Sequence, residues 1–122
     1  MIVDFFSNNF ETTDNGKNDS LTTHYYQNDK ETCLEVVKEV AKELGLYLTN
    51  YDENYGEILL KQAKYELIVT LFNVHGHLTS VDIKINAFYG IPAGRPIKRM
   101  GLFYTALNSK LTLKRIGGGI NG

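Results

Sequence analysis

The sequence predicts an α+β fold: a two-layer sandwich in which two amphipathic helices cover one face of an antiparallel β-meander of about four to five strands. Three observations lead there. Between Lys64 and Phe88 the chain alternates, with Tyr65, Leu67, Val69 and Leu71 before a His-Gly-His turn and Val81, Ile83, Ile85 and Ala87 after it. Alternation with one apolar face marks an antiparallel sheet covered on one side. Two other segments carry apolar residues at helical spacing. No linker or repeat divides the 122 residues, so one core serves the whole chain. The expected order is β-α-β-β-β-β-α, with residues 1–20 a polar, partly mobile lead-in, 21–116 the domain and 117–122 a flexible Gly-rich tail.

The elements follow in order. Residues 7–20 are polar and contain Asn15-Gly16, a loop signal. Leu21 to Tyr26 is β-branched and aromatic and reads as a strand. Asn28 is placed to cap a helix, with Glu31 three residues on as in a capping box. Leu34, Val37, Ala41 and Leu44 form its apolar stripe, widened by Val36 and Val40, and Gly45 stops it. Glu31, Glu35, Glu39 and Glu43 form a row of like charges that Lys38 and Lys42 partly relieve. Leu46–Tyr51 and Glu57–Gln62 are strands around a turn-rich connection, and the alternating pair follows. Pro96 suits the first turn of the second helix, whose buried stripe is Ile97, Met100, Tyr104, Leu107 and Leu111. Gly101 in mid-helix costs about 1 kcal/mol relative to Ala, which suggests a close helix–sheet approach.

Charge is sorted along the chain. Residues 1–57 hold twelve acids and four lysines, and residues 58–122 hold two acids and nine Lys or Arg, although the total is only −1. Such asymmetry either orients the protein toward an anionic partner or lets two halves of one domain attract each other. The longest apolar runs are far too short to span a bilayer. Met1-Ile2-Val3-Asp4 lacks the basic start of a signal peptide, and the single Cys33 forms no internal disulfide, so a cytoplasmic location is expected.

The stretch Gly90-Ile91-Pro92-Ala93-Gly94-Arg95-Pro96-Ile97-Lys98-Arg99 leaves a strand, bends at two glycines and enters a helix with basic side chains in its first turns. Gly94, Arg95, Lys98 and Arg99 are therefore the candidate anion-binding residues. Basic residues at a helix start are locally unfavourable, so a compensating anion is sought. It is either an external ligand or the acidic N-terminal half. The loop lacks the P-loop ending, and a meander offers no dinucleotide-binding unit.

Other side chains carry less. His75 and His77 flank one turn without the three or four ligands a metal needs, so no metal and no cofactor is expected. His24 reads as structural, and Cys33 has acidic neighbours and no base. Asp52 and Glu53 are adjacent, not opposed, and no serine sits in a nucleophile elbow. An isoelectric point near 6.3 and the lack of an RNA-binding octapeptide leave a nucleic-acid partner unexpected.

From Tyr25 onward, Glu57-Ile58-Leu59, Leu78-Thr79-Ser80-Val81-Asp82, Gly94-Arg95-Pro96-Ile97-Lys98 and Tyr104-Thr105-Ala106-Leu107-Asn108-Ser109-Lys110-Leu111 occur in an order that resembles small uncharacterised cytosolic proteins of low-GC Gram-positive bacteria. The resemblance implies an α+β fold and a cytosolic location and carries no activity; Met1–Ser20 lies outside it.

Two functional expectations stand. The first is a non-enzymatic cytosolic domain that binds a protein partner or itself through the open sheet face. Ile68, Phe72 and Phe88, if they share that face, would expose more apolar surface than a monomer usually carries. A homodimer, a partner chain or the Phe5-Phe6-Phe10 segment would each cover it. The alternative is a small-molecule or phosphate-binding protein that uses the Gly90–Arg99 loop.

Overall fold

A computed structural model describes residues 9–87 and 94–118. Asp29 opens the first helix, α1 (Lys30–Glu43), by accepting a hydrogen bond from the Thr32 amide at 2.7 Å. The cap therefore lies one residue after the Asn28 that the sequence suggested. Asn28 has other partners. Its carbonyl accepts from the Thr79 hydroxyl at 2.7 Å and its side chain accepts from the Thr112 amide at 2.8 Å. Gly45, at φ +74°, ends the helix as expected. Cys33, Val37, Val40 and Ala41 form the face that α1 buries.

Among the described residues the sheet has seven antiparallel strands: β1 (Asn9–Glu11), β2 (His24–Tyr26), β3 (Tyr47–Asp52), β4 (Glu57–Lys61), β5 (Tyr65–His75), β6 (Leu78–Ala87) and β7 (Leu113–Ile116). Their order is β3-β4-β5-β6-β2-β7, and β1 also pairs with β6. β1 and β2 lie end to end on one side of β6, Phe10 opposite Ile85 and His24 opposite Val81. The second helix, α2 (Gly94–Lys110), shares the covered face with α1. The two-layer α+β sandwich is thus as the sequence predicts, with more strands than expected.

Two strands, β1 and β7, lie where the sequence reading assigns none. β1 interrupts the polar lead-in. The loop after it is tied down by Thr13 N–H to Leu21 O and Thr23 N–H to Thr13 O, at 3.1 and 3.0 Å. β7 precedes the expected tail, whose Gly117 amide reaches Thr23 O at 2.7 Å. Residues 9–20 and 117–118 are therefore hydrogen-bonded into the domain. Residues 1–8 and 119–122, also assigned to these segments, lie outside the described residues.

The core joins both helices to the inner face of the sheet. Ile58, Leu60, Leu67, Val69, Leu71, Val81, Ile83 and Ile85 pack there against Val37, Val40, Met100, Phe103 and Leu107. Phe10 packs against this same core, so it does not fold over the open face. Pro96 is buried and Ile97 only half so; Leu111 is buried just beyond the helix end. Gly101 faces the short turn Asp19–Leu21 rather than the sheet: a Cβ there would lie 2.6 Å from Ser20 Oγ.

The acidic row on α1 has a partner from the basic half of the chain. Lys110 Nζ lies 3.1 Å from a carboxylate oxygen of Glu39 and of Glu43. Lys38 pairs with Glu35 at 3.3 Å. Among the described residues no helix is long and apolar enough to cross a membrane.

Candidate functional site

Antiparallel register places the site. Tyr65 at the start of β5 is paired with Ala87 at the end of β6, so the β4–β5 turn lies beside the first turns of α2. A cleft of about 280 Å³ separates them. Arg95 and Arg99 line it from the helix, Lys64 and Gln62 from the turn, and Tyr65, Ile85, Ala87 and Pro96 give it apolar walls. Arg95 and Arg99 are four residues apart and so share one helix face.

The turn is braced. The Gln62 amide donates to Tyr65 O at 2.9 Å, and the Gln62 side chain donates to Leu44 O and Gly45 O at 3.3 and 3.2 Å. Those last carbonyls belong to the end of α1, so the turn is anchored to the first helix. The Arg99 guanidinium lies 5.8 Å over the Tyr65 ring. Burial pushes the Tyr65 hydroxyl above its ordinary range, and Arg99 opposes that shift. Tyr65 therefore faces the cleft as a neutral phenol near pH 7.

Among the described residues no carboxylate lines this cleft. Among the described residues, Lys64, Arg95, Lys98 and Arg99 form no ion pair; the ion pairs there join Lys38 to Glu35 and Lys110 to Glu39 and Glu43. Among the described residues, Lys110 is the basic side chain paired with the acidic row on α1.

The four residues proposed as one anion site are divided by the helix. Arg95 and Arg99 share the cleft just described. Lys98 lines a separate cleft of about 340 Å³ with Asp19, Ser20 and His24. Gly94 opens the helix and is exposed, without lining either cleft. Residues 88–93, which include Phe88 and most of the loop before the helix, lie outside the described residues. Lys64 and Tyr65, which the sequence places only on a strand, complete the first cleft. The signal for them was the β5–β6 register, which returns the end of β6 to Tyr65 just before the chain enters α2.

The open face is mixed. Ile68 and Phe72 both lie on it, Ile68 half-buried and Phe72 63% exposed. Thr70 lies between them on β5, flanked across the sheet by Glu57 and Asp82. Asp82 accepts from the hydroxyls of Thr12 and Thr23 at 2.7 and 2.5 Å. A polar row thus separates the two apolar side chains. On the next row, Arg115 lies 4.3 Å over the ring of Tyr25, whose hydroxyl donates to Asp14 at 2.6 Å.

The remaining candidates have structural surroundings. His24 is fully buried; its Nδ1 lies 2.8 Å from Thr22 O and so carries the proton. Cys33 is buried, and its thiol is pushed up to about 11, chiefly by desolvation. Asp52 accepts from the amides of Asn54 and Tyr55, closing its turn. Among the described residues no group of three or more His, Cys, Asp or Glu is placed to hold a metal. In comparison with known proteins, no family model matches the chain and no curated sequence matches it significantly.

Proposed function

We propose that the protein binds a small organic anion in the cleft between the β4–β5 turn and the start of α2. One observation carries this reading. Three cationic side chains from two elements, Lys64, Arg95 and Arg99, line a concave site with apolar walls and, among the described residues, no carboxylate. Like charges so placed repel one another, and Arg95 with Arg99 at i, i+4 does so by a few tenths of a kcal/mol. An anion relieves that repulsion and gains charge-assisted hydrogen bonds. The volume lies at the small end of the range for ligand pockets.

Association through the sheet face has weaker support. Phe72 is exposed there, but the Glu57-Thr70-Asp82 row parts it from Ile68. A polar row of that kind costs desolvation on burial.

Titration with inorganic phosphate tests the anion reading. Amide resonances of residues 62–65, 95 and 97–99 should shift together, and the shifts should weaken as NaCl rises, because exposed charges are screened beyond about 8 Å at physiological salt. The double variant R95Q/R99Q should abolish them. Shifts absent from both segments, or unchanged in the variant, would overturn the reading.

A further inference from the structure

We infer that the anion this cleft selects is a phosphate monoester bearing a short apolar body, rather than a carboxylate or free phosphate. This rests on the reading of the cleft as an anion site and goes on to name its ligand class. Charge supplies the first argument. Lys64, Arg95 and Arg99 place three positive charges on one cleft. A carboxylate offsets one of them, whereas a phosphate monoester near pH 7 carries a charge of about −1.5 to −2.

Donor geometry supplies the second. Each guanidinium presents a planar fork of N–H groups, and the ammonium presents three further donors. Three cationic groups on two opposed walls call for three acceptor oxygens. A phosphate monoester exposes three terminal oxygens and a carboxylate two.

Shape supplies the third. Liquid water takes about 30 Å³ per molecule, so 280 Å³ corresponds to roughly nine waters. A phosphate group fills only part of that. Half-buried Ala87 and the methylene stems of Lys64, Arg95 and Arg99 form the accessible apolar wall beside the charged groups, with Ile85 and Pro96 buried behind it. Free phosphate would leave this wall wet, and an ester with a small hydrocarbon or aromatic group would cover it. About 60 Å² of apolar surface removed from water is enough for a tenfold gain in affinity.

Phenyl phosphate, inorganic phosphate and benzoate separate these possibilities, with affinities taken from titration of the amide resonances of residues 62–65, 95 and 97–99. Phenyl phosphate should bind at least about tenfold tighter than inorganic phosphate, from the apolar wall, and tighter than benzoate, from the charge. Its affinity should fall about tenfold between pH 7.5 and pH 5, because the second ionisation of a phosphate monoester lies near 6. Benzoate should show no such fall, since carboxylates stay largely ionised over that range. Among the described residues neither a histidine nor a carboxylate lines the cleft to confuse the comparison.

Benzoate binding as tightly as phenyl phosphate would overturn the phosphate assignment and leave the anion site standing. Equal affinity for inorganic and phenyl phosphate would overturn the apolar-body assignment. No response to any of the three compounds would overturn both this inference and the anion site beneath it.

Discussion

The imidazole of His24 lies flat on the phenol of Tyr104, with ring centroids 3.5 Å apart and planes within 7°. The Tyr104 hydroxyl continues inward to donate to Val81 O at 2.7 Å, and His24 Nδ1–H donates to Thr22 O. The pair ties β2, β6 and α2 together beneath the sheet. Burial lowers the His24 pKa below its ordinary 6.5; the Thr22 carbonyl and the charges of Asp19 and Asp82 oppose this more weakly.

A pH dependence follows. The unfolded chain takes up a proton at His24 before the folded one does. The stability this group contributes is fully present above pH 6.5 and is lost as pH falls through the lowered folded value. Urea midpoints measured from pH 7.5 to 5 should therefore decline, and His24→Phe should flatten the decline above pH 5. An identical slope in the variant would assign the effect to other groups.

Core and open face should respond differently to truncation. Leu107 is fully buried among Tyr26, Phe103 and the inner strands. Leu107→Ala should cost about 2–5 kcal/mol in chemical denaturation. Phe72 is 63% exposed. Phe72→Ala should cost less than about 1 kcal/mol in a monomer. A comparably large loss at Phe72, growing with protein concentration, would mean that a second copy covers the face.

Much of this architecture is legible from periodicity, and its failures have physical causes. The β5–β6 hairpin is long enough for alternation to accumulate, eleven and ten residues. β1 and β7 have three and four residues, too few for any period, and β7 carries Lys114 and Arg115, as suits an edge. Asn28 and Asp29 are both good caps, and only the tertiary partners Thr79 and Thr112 decide between them. The basic cluster is visible in the sequence, and helix geometry divides it. At 3.6 residues per turn, Arg99 lies about 40° to one side of Arg95 and Lys98 about 60° to the other. That spread of about 100° spans two clefts. Lys64 and Tyr65 carry no local signal and enter the site only through strand pairing.

The thiol of Cys33 should be inert in the folded state. It is fully buried against the core, and desolvation pushes it up to about 11, so little thiolate forms at pH 8. A thiol-specific disulfide reagent at that pH should label the native protein slowly and the urea-unfolded chain at once. Rapid labelling of the native protein would show that α1 opens readily near Cys33.

Gly101 gives a test of the contact between α2 and the Asp19–Leu21 turn. In an ordinary helix interior, Gly→Ala stabilises by about 1 kcal/mol. Here the new Cβ would sit 2.6 Å from Ser20 Oγ, closer than such atoms approach, and 3.6 Å from Ser20 Cβ, an ordinary contact. The clash therefore belongs to one oxygen atom, which must rotate away or push the turn outward. Gly101→Ala should gain little or lose stability in the presence of Ser20. Ser20→Ala removes the oxygen and keeps the acceptable Cβ contact, so Gly101→Ala should approach its full gain in that background. The two changes should thus be coupled by about 0.5–1 kcal/mol in a double-mutant cycle. Strict additivity would show that Ser20 does not hold this position in solution, and that the turn stands away from the helix.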